Sequence, residues 1–399
     1  MTIPQIPPVS ITAYQCVSAA GDDVEALYSS LIDNRSCLKP LQLFDIPFET
    51  VVGEVTSPLP EIRPSLKAYD CRNARLALKA LSQGGFRAEV ERAIARHGAA
   101  RVGLILGTST SGIYDSENAY ARLRQDGVMP GDFYFLQVQT AQATAEFLQR
   151  ELGLLGPCYA ISTACSSSAK ALAAAQRLIA TDCYDAVLVA GVDSLCRLTL
   201  RGFNSLQLIS PQACRPMDAE RQGINIGEGA ALLLLERPSA ENAGRPRLLA
   251  VGESSDAHHM SAPHPDGVGA ATAMAQALRL AGRQVGEVDY INLHATASTL
   301  NDLSEARAVV SLFPNPPRCS GVKGLLGHTL GAAGAVETIV SLLALERGFL
   351  PGTCGLIQPD PECLFPVVDV PNLEISPRLI LSNAFGFGGN NASVLLEAA

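Results

Sequence analysis

The chain has 399 residues, 47% hydrophobic and 17% charged, a composition that excludes disorder, collagen and coiled coil and leaves two domains or one large double unit. Its 30 basic and 39 acidic side chains give a net charge of −9, which excludes a global attraction to nucleic acid or to an anionic lipid surface. The 11 cysteines contain no C-x-x-C pair or zinc spacing, so they read mostly as buried small hydrophobes in a reducing compartment.

Residues 1–10 lack the basic and apolar regions of a secretion signal, and no uncharged apolar run of about 18 residues follows, so no membrane span and a cytoplasmic location are expected. In chain order, apolar residues at i, i+3 or i+4 predict helices at Arg75–Leu81 and Glu89–Ala95, followed by a strand at Arg101–Leu106. A strand-like run from Tyr159 ends at Cys165, and an Ala-rich helix, Ser166–Ala180, follows directly. Strands are read at Asp185–Ala190 and Gly229–Leu235, then the polar stretch Glu236–Pro246 marks a division into halves 1–240 and 241–399. The second half alternates in the same way: a helix at Ala271–Ala281, a strand at Tyr290–Leu293, helices at Ser304–Leu312 and Ala335–Glu346, and a strand at Ala392–Glu397. The alternation defines an α/β fold with buried strands. In each half a strand leads to a small-residue turn with one reactive side chain and then to an Ala-rich helix, which suggests an internal duplication.

Cys165 stands where a helix opens, so unpaired N–H groups and the positive helix end favour its thiolate. A lone cysteine there is commonly a structural one, but two of the chain's 6 histidines, His294 and His328, also occupy turns after strand-like segments. Together the three make a Cys-His-His set suited to acyl transfer. The run Ser382–Asn391 is Gly-rich with two Phe and matches neither a dinucleotide nor a P-loop pattern, so it reads as a loop of backbone donors beside an acyl thioester. His258, His259 and His264 match no zinc spacing, and no metal is expected. Asn301–Glu305 reads first as a helix N-cap and second as support for His294.

Six motifs in order resemble the β-ketoacyl-acyl carrier protein synthases, the condensing enzymes of the thiolase superfamily, in their type II elongating branch. They are Gly107–Gly112, Ser162–Ser166, Arg215–Asp218 with Arg221 and Gly227–Gly229, the segment around His294, Lys323–Glu337, and Asn383–Asn391. The resemblance implies a thiolase-like fold of two pseudo-duplicated halves in five layers, α-β-α-β-α, in a homodimer or a heterodimer with a related ketosynthase-like chain. It implies that Cys165 accepts an acyl chain from carrier-protein phosphopantetheine, that His294 and His328 promote decarboxylation of malonyl-carrier protein, and that no further cofactor is used. By the same resemblance Lys323 and Glu337 support the histidines, and the N–H groups of Cys165 and Phe387 form the oxyanion hole. Thr296 and Ser298 bond the pantetheine arm, while Phe203, Phe385 and Phe387 line the cavity. Arg63, Lys67, Arg72 and Arg75 are expected to form a local basic rim for an acidic carrier protein.

Three departures from the family pattern, Ala295 for Gly, Met217 for Phe and Asn390 for Thr, touch no catalytic functional group. They point to a specialised polyketide or polyene pathway, and Ala295 is expected to tighten the pantetheine tunnel or shift His294. A thiolase would carry a second cysteine in the C-terminal loop, whereas the last cysteine is Cys363. The initiating branch would have Asn at position 328. A non-catalytic chain-length-determining subunit is the alternative, and the retained Cys165 argues against it.

Overall fold

The computed structural model describes residues 5–399. Its strands are β1 (Val9–Ser18), β2 (Lys39–Pro40), β3 (Val51–Val52), β4 (Val102–Gly107), β5 (Cys158–Ile161) and β6 (Ala186–Asp193). They continue as β7 (Gly229–Glu236), β8 (Arg247–Ser255), β9 (Tyr290–Asn292), β10 (Arg318–Ser320), β11 (Leu379–Gly386) and β12 (Asn390–Glu397). All but β2 and β3 join one 10-stranded sheet.

That sheet is the same five-strand unit used twice. Its order is β5-β4-β6-β7-β1 in the first half and β10-β9-β11-β12-β8 in the second. In each, the first three strands are parallel and the last two run antiparallel to their neighbours. Two residue pairs, Val9 with Leu248 and Ser10 with Arg247, join the units edge to edge. The expected duplication is thus visible in topology, although side-chain identity between the halves has drifted.

Helices Ser167–Ala180 and Ala333–Arg347 form the middle layer, each against strands of both halves. Helices Arg72–Ser82 and Ala143–Leu152 cover the outer face of the first unit, and Val268–Ala281 with Thr299–Leu312 that of the second, giving the five-layered thiolase-like arrangement. The strands read as continuous apolar runs because both faces are buried: Val187 and Val189 of β6 enter the central core, whereas Ala186, Leu188 and Ala190 enter the outer one. The helix Ala333–Arg347 is buried around its circumference from Ala333 to Leu345, as a helix between two sheets must be, and it stops at Gly348 with φ 68°. No helix among the described residues is long and apolar enough to cross a membrane.

Candidate active site

The reactive side chains come from equivalent places in the duplicated units. Cys165 follows β5 and precedes the helix Ser167–Ala180, and His328 follows β10 and precedes Ala333–Arg347. Ala164 takes φ +53°, a strained value for a residue with a Cβ, and turns the chain sharply so that Cys165 faces the other half. His328 Nε2 then lies 2.9 Å from Cys165 Sγ, the two imidazoles meet edge to face with centroids 5.2 Å apart, and one ligand atom from each of Cys165, His294 and His328 falls within 4.8 Å of the others.

Lys323 and Glu337 form a buried ion pair beside the histidines. Lys323 Nζ also donates to the carbonyl of His294 and stands 3.3 Å from its Nδ1. An ammonium has no acceptor capacity, so Nδ1 must accept and the imidazole proton sits on Nε2, toward Cys165 and His328. Burial, together with the Lys323 charge, holds both imidazoles well below the usual histidine range, so both are neutral. Burial keeps Glu337 above the usual carboxylate range despite Lys323.

The thiol overturns one expectation. Burial pushes Cys165 up to about 11, outweighing Lys323 and the two backbone N–H groups, of Phe387 and of Cys165 itself, that bond the sulfur and lower it. The helix starts two residues later, at Ser167, and its dipole does not offset the loss of water around the sulfur. The resting site therefore holds a neutral thiol against a neutral imidazole.

Phe203, Phe385, Phe387, Thr296 and Ser298 line one narrow cavity together with Cys165, His294 and His328. The rings of Phe203 and Phe387 are 5.4 Å apart, and the Thr296 and Ser298 hydroxyls bond each other at 3.0 Å. Gly386 is required where it is: a Cβ there would come within 2.8 Å of the Thr163 carbonyl and 3.3 Å of the Cys165 nitrogen. The carboxylates of Asp302 and Glu305 do not cap their own helix. Glu305 accepts the N–H groups of His294 and Ala295, each at 2.8 Å, and Asp302 accepts those of Ala297 and Met217. They hold a loop in which Ala295 and Ala297 both have positive φ.

The Ala295 methyl points away from the cavity, into the outer core against Gly321, so it does not narrow the tunnel as expected. Asn390 accepts from Lys170 Nζ at 3.0 Å, and Met217 is wholly buried. The rings of His258 and His264 are tilted at 55° to each other with centroids 5.0 Å apart, beside the exposed His259.

The basic rim needs correction. Arg72 turns inward onto Glu228, whose side chain is wholly buried, and so is a structural ion pair. Arg63 pairs with Glu151, and Lys67 and Arg75 share Asp70. None of the four lines the cavity. Asp193, absent from the expected set, accepts hydrogen bonds from both halves next to the site; its one signal in the sequence is a carboxylate closing the otherwise uncharged run Ala186–Val192.

A cysteine facing two histidines across a duplicated α-β-α-β-α fold defines a thiolase-like condensing enzyme. Residues 7–241 match the family model for the beta-ketoacyl synthase N-terminal domain, and residues 247–356 match that for its C-terminal domain, so the chain belongs to the β-ketoacyl synthase family. It is 32% identical to 3-oxoacyl-[acyl-carrier-protein] synthase 2 of Coxiella burnetii, over 98% of both chains. A chain from the complex of the ketosynthase ApeO with its chain length factor ApeC, from Xenorhabdus doucetiae, superposes with a TM-score of 0.90 at 38% identity, covering 99% of this chain and 98% of that one. A chain of the ishigamide ketosynthase/chain length factor gives 0.89 at 29% identity, covering 99% and 100%.

Proposed function

We propose that the protein catalyses decarboxylative Claisen condensation of an acyl group held on Cys165 with malonyl-acyl carrier protein, giving a 3-oxoacyl-carrier protein two carbons longer. The observation that carries this reading is the convergence of Cys165, His294 and His328 on one largely apolar cavity. In the first half-reaction Cys165 Sγ attacks the acyl thioester and passes its proton to His328 Nε2, 2.9 Å away. The tetrahedral oxyanion is held by the N–H groups of Cys165 and Phe387, and the carrier thiol leaves with the proton. In the second, loss of CO₂ leaves its bonding pair on the malonyl thioester as an enolate, so no base is needed to remove a carbon-bound proton. With Cys165 acylated, His328 Nε2 no longer faces a thiol proton and its Nδ1 has no side-chain or backbone partner among the described residues, so His328 takes the tautomer with its proton on Nε2. The Nε2–H donors of the two neutral imidazoles then stabilise the enolate oxygen, its carbon attacks the acyl-Cys165 carbonyl, and the Cys165 sulfur leaves and takes a proton from water.

Lys323 and Glu337 keep the imidazoles neutral and oriented. Thr296 and Ser298 bond the pantetheine arm, and Phe387 gates the acyl side while Phe203 and Phe385 line it. No cofactor enters beyond the phosphopantetheine that carries the substrates. Carrier docking is assigned to Arg63, Lys67 and Arg75, with Arg72 removed from the set. The halves divide at 240/241, and the chain acts in the cytoplasm.

The full-length similarity to chains from two ketosynthase complexes with chain length factors supports a heterodimer and a specialised polyketide or polyene pathway. Retention of Cys165 and both histidines supports the catalytic rather than the chain-length-determining role. The test is intact-mass spectrometry after incubation with a panel of acyl-carrier proteins and then malonyl-carrier protein, with Cys165→Ala as control. An adduct lost in the control, followed by a product two carbons longer, is expected. No adduct from the folded protein, alone or with a co-expressed ketosynthase-like partner, would overturn the assignment.

A further inference from the structure

Asp193 closes β6 and is buried without a cationic partner among the described residues. Its Oδ1 accepts the Thr108 hydroxyl at 2.7 Å, the Ser109 N–H at 2.9 Å, and both the N–H and the hydroxyl of Thr110 at 2.7 Å. Its Oδ2 accepts Ser109 N–H at 3.0 Å and, from the other half of the molecule, Gly331 N–H at 2.6 Å. Every donor is uncharged, so the carboxylate does the work of a cross-link between two loops rather than that of half an ion pair.

Each loop leads directly to one of the reacting side chains. Ser109 Oγ donates at 3.2 Å to the carbonyl of Ala164, the positive-φ residue that aims Cys165. Gly331 lies three residues after His328, and Leu330 between them also has positive φ, at 54°. The backbone of His328 is itself bonded to the first half, its N–H to the Asn225 carbonyl at 2.7 Å and its carbonyl to the Gly227 N–H at 2.9 Å, so Asp193 adds the link on the C-terminal side of His328 and the one that reaches the turn before Cys165.

We infer that Asp193 is a positioning residue: by bonding the Ser109 turn with one oxygen and Gly331 with the other, it sets the separation of Cys165 Sγ from His328 Nε2 across the two halves. Asparagine would keep the shape and one acceptor oxygen, but its NH₂ group would face the Gly331 N–H donor, so the C-terminal link is the one lost. The inference rests on Cys165 being the reacting group, and its test needs no carrier protein.

Asp193→Asn, Ser109→Ala and the double variant are alkylated with iodoacetamide at pH 7.5, where attack runs with proton acceptance by His328. Cys165 and the exposed Cys183 are quantified separately by mass spectrometry. Leu76→Ala, in the outer core of the first half, controls for destabilisation alone. Asp193→Asn should slow Cys165 by about tenfold or more, since a displacement near 1 Å carries a penalty of that order, with Cys183 unchanged. Ser109→Ala should slow Cys165 by a smaller factor, and the double variant should be no slower than Asp193→Asn, because both act through one network. A wild-type rate in folded Asp193→Asn, fully additive effects, or equal slowing in Leu76→Ala would overturn the inference. If Asp193→Asn does not fold, Ser109→Ala decides alone: a reduced Cys165 rate at unchanged Tm upholds it, and a wild-type rate sinks it. A chain that proved unable to condense would still report on Asp193 through alkylation.

Discussion

Ala295 and Gly321 are matched surfaces: a Cβ built on Gly321 would lie 2.3 Å from the Ala295 methyl, inside any tolerable contact. Ala295 keeps φ +34° because Glu305 holds its N–H and that of His294, so the methyl cannot rotate away without moving the histidine. Gly321→Ala should therefore cost about 1–3 kcal/mol of stability by overpacking and reduce condensation at least about tenfold through displaced His294. Ala295→Gly should leave activity within about twofold, because relief of positive φ offsets one lost methyl. Thermal unfolding and kcat of both variants and of the double variant decide it: a double variant no better than Gly321→Ala would refute the pairing.

A thiol raised to about 11 is protonated across the physiological range, and raising the pH increases its thiolate fraction. Cys165 alkylation should therefore keep climbing between pH 9 and pH 11, with Cys183 monitored in the same samples. A plateau below pH 8 would mean a preformed thiolate–imidazolium pair and would contradict the burial argument.

The loop that supplies the Phe387 N–H packs its Gly386 against the Cys165 nitrogen. Gly386→Ala should leave Tm within a few degrees while slowing acyl transfer to Cys165 by about 10²-fold, the usual loss when an oxyanion donor is displaced. Single-turnover acylation followed by intact mass gives the rate. An unchanged rate would remove that N–H from the transition state.

Arg72 and the exposed Arg63 and Lys67 should separate cleanly. Removing Arg72 strands the buried Glu228 carboxylate, and Arg72→Ala should cost about 3–5 kcal/mol. Arg63→Ala and Lys67→Ala, at side chains 52% and 63% exposed, should stay within about 0.5 kcal/mol. Urea denaturation of the three variants measures this, and equal losses would count against the inward placement of Arg72.

Much was determined by the sequence alone. The helices expected at Ser166–Ala180 and Ala335–Glu346 occur at Ser167–Ala180 and Ala333–Arg347, because apolar periodicity and the small residues before them are local signals. Cys165, His294 and His328 were legible for the same reason, each in a turn of small residues after a strand. Strand β1 and helix Ile113–Asp126 were not: β1 carries Thr12 and Gln15 among its apolar residues, and the helix buries only Ser116 and Ala119.

Tertiary structure decided what depends on how much water remains around a group and on which distant segments meet. The helix start at Cys165 argued for a lowered thiol pKa, and burial by the second half reversed the sign. Arg72 looked like a surface charge until Glu228, 156 residues away, claimed it. Asp193 gathers its donors from Thr108–Thr110 and Gly331, segments that only the folded duplication brings together. Desolvation and long-range hydrogen bonding have no period along a chain, so no pattern of residues announces them.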